Sequence, residues 1–218
     1  MTYDLIIFDY DGVVADSEVL NSTVMAEQLT AIGLSTSLDD VLAAYTGKRW
    51  RDNRPVVEAA LGRACPDDFH TTWFATCRQR APQQLEPVPG LLDFVAARTE
   101  PRCIASSSGP DWIGVGLNLF GLTDHFDGAV FTGLVVERGK PHPDIFLHAA
   151  DAMGVDPTRV LVIEDSEAGV TAGVAAGMTV VGLTAGGHVR DGHAERLAAR
   201  GAHHIADSYA AVAAFMDR

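Results

Sequence analysis

The chain has 218 residues, 47% of them hydrophobic and 21% charged, without a low-complexity tract, which is the make-up of an ordinary globular protein. That length allows one sizeable core, or a core with a small appended unit. A formal net charge of −13 argues against a broad basic footprint for nucleic acid or anionic lipid, although a few local cations and a metal can still hold a small anion.

Leu5-Ile6-Ile7-Phe8 reads as a first strand; it is too short for a signal-peptide core and is flanked by Asp4 and Asp9. It runs into Asp9-Tyr10-Asp11-Gly12. Two carboxylates directly after an apolar strand are costly unless a cation binds there, and Gly12 lets the chain turn just past them. The residues alone also allow a solvated acidic turn.

From about Asp16 to Gln84 the pattern is helical, over Val19–Ile32, Leu38–Tyr45, Arg54–Leu61 and Asp67–Gln79, with turns at Gly33, Gly47 and Gly62. Ala81 to Gly90 reads as a return linker, after which the sheet is expected to resume near Leu91. Further strands are expected over Cys103–Ser106, Ala129–Thr132, Val160–Ile163 and Thr179–Leu183. Helices should follow over Trp112–Leu119, Pro143–Met153, Ala168–Ala176 and Tyr209–Met216. The alternation predicts an α/β fold, a Rossmann-like doubly wound parallel sheet (residues 1–15 and 85–218) with an inserted all-helical cap (residues 16–84). Ala168–Val189 carries no Asp, Glu, Lys or Arg, but its six glycines suit a helix packed closely on a sheet and then a strand, not a membrane span.

Three strand ends add to the first. Val160–Ile163 runs into Glu164-Asp165, so in a parallel sheet Asp9, Asp11 and Asp165 can converge at one edge. Converging carboxylates repel unless a divalent cation sits between them, and oxygen ligands without Cys or His favour magnesium. Ser106-Ser107-Ser108-Gly109 offers hydroxyls and backbone N–H groups before a helix, as a phosphate cradle or as an ordinary capped turn. Gly139-Lys140-Pro141-His142-Pro143 fixes one lysine in a stiff loop, suited to clamping phosphate.

In that order, Phe8-Asp9-Tyr10-Asp11-Gly12 through Ser17, Ser106, Gly139 to Phe146 and Val162 to Gly169 resemble the haloacid dehalogenase superfamily, in its β-phosphoglucomutase and sugar-phosphatase-like branch with a helical cap. The resemblance implies an Mg2+-dependent phosphatase acting on a small phosphorylated metabolite, a sugar or sugar-acid phosphate. Asp9 would be the nucleophile forming an aspartyl-phosphate, and Asp11 the acid and then the base. Ser106 and Lys140 would hold the transferring oxygens, with Gly12, Ser107 and Ser108 beside them. Asp165, Asp9 and the backbone carbonyl of Asp11 would bind the metal, supported by Glu164.

Dehalogenating and phosphonate-cleaving relatives lack an acid where this chain has Asp11, so phosphoryl transfer is the chemistry implied. Phosphomutases of the group place a histidine where this chain has Asn21, which favours water as acceptor over the mutase alternative. Gly47, Lys48, Arg49 and Trp50 match a cap loop that would read the substrate, unless Trp50 simply packs under the cap. A phospho-aspartate receiver uses similar groups, but its motif order and length differ. His142 and the His203-His204 pair read as surface or supporting positions. Three scattered cysteines, without a CxxC spacing, suit a reducing cytoplasm. The expected partner is a small phosphate ester, with no nucleic acid or membrane, bound by a monomer or weak dimer.

Overall fold

The computed structural model describes residues 3–45, 50–126 and 128–218. Two compact units emerge: residues up to Asp16 together with Glu86–Arg218, and Ser17–Leu85.

The larger unit holds β1 (Leu5–Phe8), α5 (Leu91–Ala97), β2 (Arg102–Ser106), α6 (Pro110–Phe120), α7 (Thr123–Phe126), β3 (Val130–Thr132), α8 (Asp144–Ala152), β4 (Val160–Glu164), α9 (Glu167–Ala175), β5 (Thr179–Leu183), α10 (His193–Ala199), β6 (His204–Ala206) and α11 (Tyr209–Met216). Among the described residues, the strands form one six-stranded parallel sheet in the order β3-β2-β1-β4-β5-β6. The α/β doubly wound core expected from the alternation is therefore what forms.

Every residue of β1 and β4 is buried, which explains their unbroken apolar runs: both faces are covered. Leu5 and Ile7 of β1 pack with Ile145, Phe146 and Ala149 of α8 and with Val170 and Ala172 of α9. On the opposite face, Phe8 meets Phe94 of α5 and Phe126 of α7 edge-on, at ring separations of 6.1 and 5.6 Å. The chain leaves β1 for β2 and β3 on one side and for β4 to β6 on the other. β1 and β4 thus flank the point where the winding reverses, the usual ligand crevice of such sheets.

Four details depart from the sequence reading. Leu91–Ala97 is a helix, so the sheet resumes only at Arg102. The strand β6 was not expected: it has three residues, His204 as the first of them directly after His203, and a single partner in β5. An edge strand so short carries no apolar run to read. The helix α10 was not expected either. The return linker begins later than expected, because α4 (Phe69–Gln84) runs through Pro82 and closes its last turn with the Leu85 N–H on the Ala81 carbonyl.

The smaller unit comprises α1 (Glu18–Ala31), α2 (Leu38–Ala44), α3 (Trp50–Leu61) and α4. Met25, Leu29, Val41, Val57 and Phe69 form its core. Ser37 and Asp40 make a reciprocal capping box at the start of α2, which is why that short helix begins where it does. The Trp73 indole donates to the Asn21 carbonyl at 2.8 Å and ties α4 to α1. No helix among the described residues is long and apolar enough to cross a membrane; Ala168–Val189 divides into α9, β5 and the loop after it.

Candidate active site

Parallel pairing aligns the strand ends. Phe8 of β1 is in register with Ile163 of β4 and with Ile104 of β2, which brings Asp9, Glu164 and Ser106 to neighbouring positions on one edge. Asp9, Glu164 and Asp165 are all buried, and they offer carboxylate oxygens within 4.8 Å of one another. The Lys140 ammonium reaches into this group, 2.9 Å from Asp9 Oδ1 and 2.7 Å from Glu164 Oε1. Its bond to Glu164 is well directed. Its approach to Asp9 is close but poorly aimed, so the buried Asp9 Oδ1 keeps capacity for another cationic partner.

Burial works against the Lys140 charge, but the two carboxylates overcome it and hold the amine above the ordinary lysine value. Burial also pushes the Glu164 carboxyl up, against the pull of Lys140, with Asp9 and Asp165 adding to the rise. Three buried carboxylates against one ammonium leave an excess of negative charge that a divalent cation would offset. An all-oxygen donor set of this kind fits a hard ion such as magnesium. Glu164 is already committed: Oε1 takes Lys140, and Oε2 accepts the backbone N–H of Ser166 at 2.7 Å and its hydroxyl at 3.0 Å. It braces Lys140 and the turn into α9, while Asp9 and Asp165 have the freer oxygens.

Gly12 has φ +74°, and its packing shows why no side chain fits: an added Cβ would lie 1.7 Å from Asp165 Oδ2. The Gly12 N–H donates to the Ala15 carbonyl, which closes the turn under Asp165. Asp11 is not part of the acidic group. One of its oxygens accepts from the Ser108 hydroxyl and the other from the Trp112 indole N–H at 3.0 Å. Ser106 is buried at the end of β2, its hydroxyl oxygen accepting the Ser108 N–H at 3.2 Å; Ser107 is exposed. The Lys140–Pro141 peptide is cis.

Of the residues expected in the cap loop, Gly47, Lys48 and Arg49 lie outside the described residues. Trp50 opens α3 and is drawn into aromatic packing, its ring stacked on Phe69 at 4.9 Å. His203 and His204 serve β5 and β6: His203 Nδ1 accepts the Val180 N–H, and His204 stacks on Phe215 at 4.7 Å. His142 is exposed in the lysine loop.

Two histidines escaped the sequence reading. His188 is buried with Nε2 3.1 Å from Asp165 Oδ2, and His193 Nε2 lies 2.7 Å from the Asp165 carbonyl. Burial lowers the His193 imidazole below its usual value. The signal available was Gly186-Gly187-His188 just past β5, at the same sheet edge. Trp112 was read only as the start of a helix.

Residues 3–177 match the family model for haloacid dehalogenase-like hydrolases. The chain belongs to this family. It is similar to the fructose-1-phosphate phosphatase YqaB of Escherichia coli (strain K12), 31% identical over 181 residues, covering 82% of this chain and 95% of that one. It is also similar to the 6-phosphogluconate phosphatase of the same organism, 25% identical over 186 residues, covering 85% and 84%. Among solved structures, a conserved haloacid dehalogenase-like protein of unknown function from Agrobacterium tumefaciens str. C58 superposes with a TM-score of 0.86 at 33% identity, covering 99% of this chain and all of that one. As a haloacid dehalogenase-like hydrolase, the chain is an enzyme of the sugar-phosphatase-like branch that its motifs pointed to.

Proposed function

We propose that this enzyme is a phosphoric monoester hydrolase that removes phosphate from a small phosphorylated sugar or sugar acid, with magnesium as its cofactor. The observation that carries the reading is the Lys140 ammonium held between Asp9 and Glu164 beside Asp165, at the sheet's reversal point. An ammonium and a carboxylate nucleophile side by side are what attack on a phosphate dianion requires.

Asp9 forms the bond to phosphorus and becomes an aspartyl-phosphate. Lys140 and the Ser106 hydroxyl hold the transferring oxygens. Asp11 gives a proton to the leaving alcohol and then takes one from the attacking water, regenerating Asp9 and releasing phosphate. When bound through Asp9, Asp165 and the Asp11 carbonyl, magnesium supplies positive charge that lets one anion approach another. We assign the choice of sugar to the inserted helical segment, residues 16–84, and within it to Gly47 to Trp50. Three buried cysteines outside any disulfide suit a reducing cytoplasm as the place of work.

The test is phosphate release from a panel of sugar, sugar-acid and polyol phosphates, with magnesium and with a chelator. Steady magnesium-dependent release from at least one member is expected. An isomerised sugar phosphate with little free phosphate, in the presence of a bisphosphate, would make the enzyme a mutase instead.

A further inference from the structure

The loop between β5 and α10, together with the first residue of α10, grips Asp165 at two points, and nothing in the catalytic scheme above uses either contact. His188 Nε2 lies 3.1 Å from Asp165 Oδ2. His193, whose ring centroid lies 5.6 Å from that of His188, meets the Asp165 carbonyl through Nε2 at 2.7 Å. A carboxylate and a carbonyl can only accept, so each imidazole must present an Nε2–H. The Arg196 guanidinium stands 3.2 Å from His193 Nδ1, which is consistent with a proton on Nε2 of that ring.

The place for the His188 ring is built. An added Cβ at Gly12 would come 2.9 Å from His188 Cε1, and one at Gly186 would come 2.8 Å from Nδ1. Two glycines, one from each flanking turn, therefore leave the slot the ring fills. The loop itself is anchored from β1's side: both oxygens of Asp16 accept the Gly187 N–H, at 2.9 and 3.1 Å. A turn closes on it through the Val189 N–H and the Gly186 carbonyl. His188 is thus a buried, caged group in contact with a metal-site carboxylate.

We propose that His188 is a positioning residue for the divalent cation: its Nε2–H occupies Oδ2 of Asp165 and turns Oδ1 toward the ion, while His193 fixes the main chain of the same residue. A carboxylate free to rotate pays more entropy to ligate; one held by a hydrogen bond is already oriented. The inference rests on Asp165 being a magnesium ligand, as in the proposed function.

The test measures magnesium binding to the full chain by titration calorimetry, separately from turnover. His188→Ala should weaken magnesium about 10–100-fold, the range typical of groups that orient a ligand, while kcat at saturating magnesium falls by less. His188→Gln, whose side-chain amide can donate to the same oxygen, should recover most of the affinity. Circular dichroism and melting without metal check that each variant is folded. Wild-type magnesium affinity in His188→Ala, with affinity lost in Asp165→Asn, overturns the inference and leaves the metal reading intact. Wild-type affinity in Asp165→Asn overturns the metal reading itself. His188→Gln binding as weakly as His188→Ala also overturns the inference, because the bulk of the ring and not its N–H would then matter.

Discussion

The two units treat polar groups in opposite ways. In the unit containing the sheet, the buried carboxylates Asp9, Glu164 and Asp165 gather at the ends of β1 and β4, with the buried side chains of Lys140 and His188 reaching them from loops. In the helical unit, the buried polar residues among those described are Ser17, Ser22 and Asn53, all uncharged, and its ion pairs such as Arg54–Glu58 and Arg80–Glu27 sit at the surface. A buried charge costs several kcal/mol on the order of magnitude unless paired, so it persists only where the fold holds its partner or where a ligand will supply one. An exposed pair contributes about 0–1 kcal/mol and can be exchanged freely. The contrast separates a region whose polar groups are constrained by chemistry from one whose core is apolar packing.

The sharpest way to break this contrast is Asp9→Asn. It should lower turnover by about a thousandfold or more, since the nucleophile is lost while the binding groups remain. The metal-free melting temperature should hold, because Lys140 keeps Glu164 and one repelling charge is gone. A collapse of the fold with activity loss would make Asp9 structural.

Leu29→Ala probes the other side. Leu29 is fully buried in the core of the helical unit, and truncation should cost that unit about 2–5 kcal/mol. Hydrogen exchange should quicken in α1 to α4 and stay slow in β1 and β4. Equal loosening of both units would show that they unfold as one.

Gly169→Ala tests how tightly the sheet unit holds its charges. A Cβ there would fall 1.6 Å from Glu164 Oε1, so α9 or Glu164 must shift. Overpacking of this kind costs about 1–3 kcal/mol. Here it should also lower kcat, because Glu164 braces Lys140. An unchanged melting temperature and unchanged kcat would show that the site is looser than its geometry.

The smallest effect concerns thiols. Cys65, Cys77 and Cys103 are buried, and burial pushes the Cys103 thiol up to about 12. A pKa raised in this direction removes thiolate at neutral pH, so a disulfide reagent should label the native chain slowly and the unfolded chain quickly. Fast native labelling of Cys65 or Cys77 would point to opening of the helical unit.

Much of the site is legible along the chain because each part sits where a short apolar run ends. Asp9 after Leu5–Phe8 and the Glu164-Asp165 pair after Val160–Ile163 can be read from hydrophobic pattern alone, since the apolar run of a buried parallel strand stops where the chain reaches the sheet edge. Ser106 and Lys140 follow the same rule less strongly. The helical unit's periodicity is equally plain, whereas β6 is too short, and Pro82 too strong a breaker signal, for local reading to place either correctly.

What the sequence by itself determined is the alternation of strand and helix, the order of the acidic, hydroxyl and lysine motifs, and the family they mark, because these depend on local pattern and spacing. Only the tertiary structure decided which groups touch. That Glu164 is spent on Lys140, that Asp11 is held by Ser108 and Trp112, and that His188 of the loop after β5 and His193 of α10 close on Asp165 follow from strand order and register. Those bring residues 24 to 101 positions apart in the chain within hydrogen-bonding reach, and no one-dimensional pattern records such a meeting.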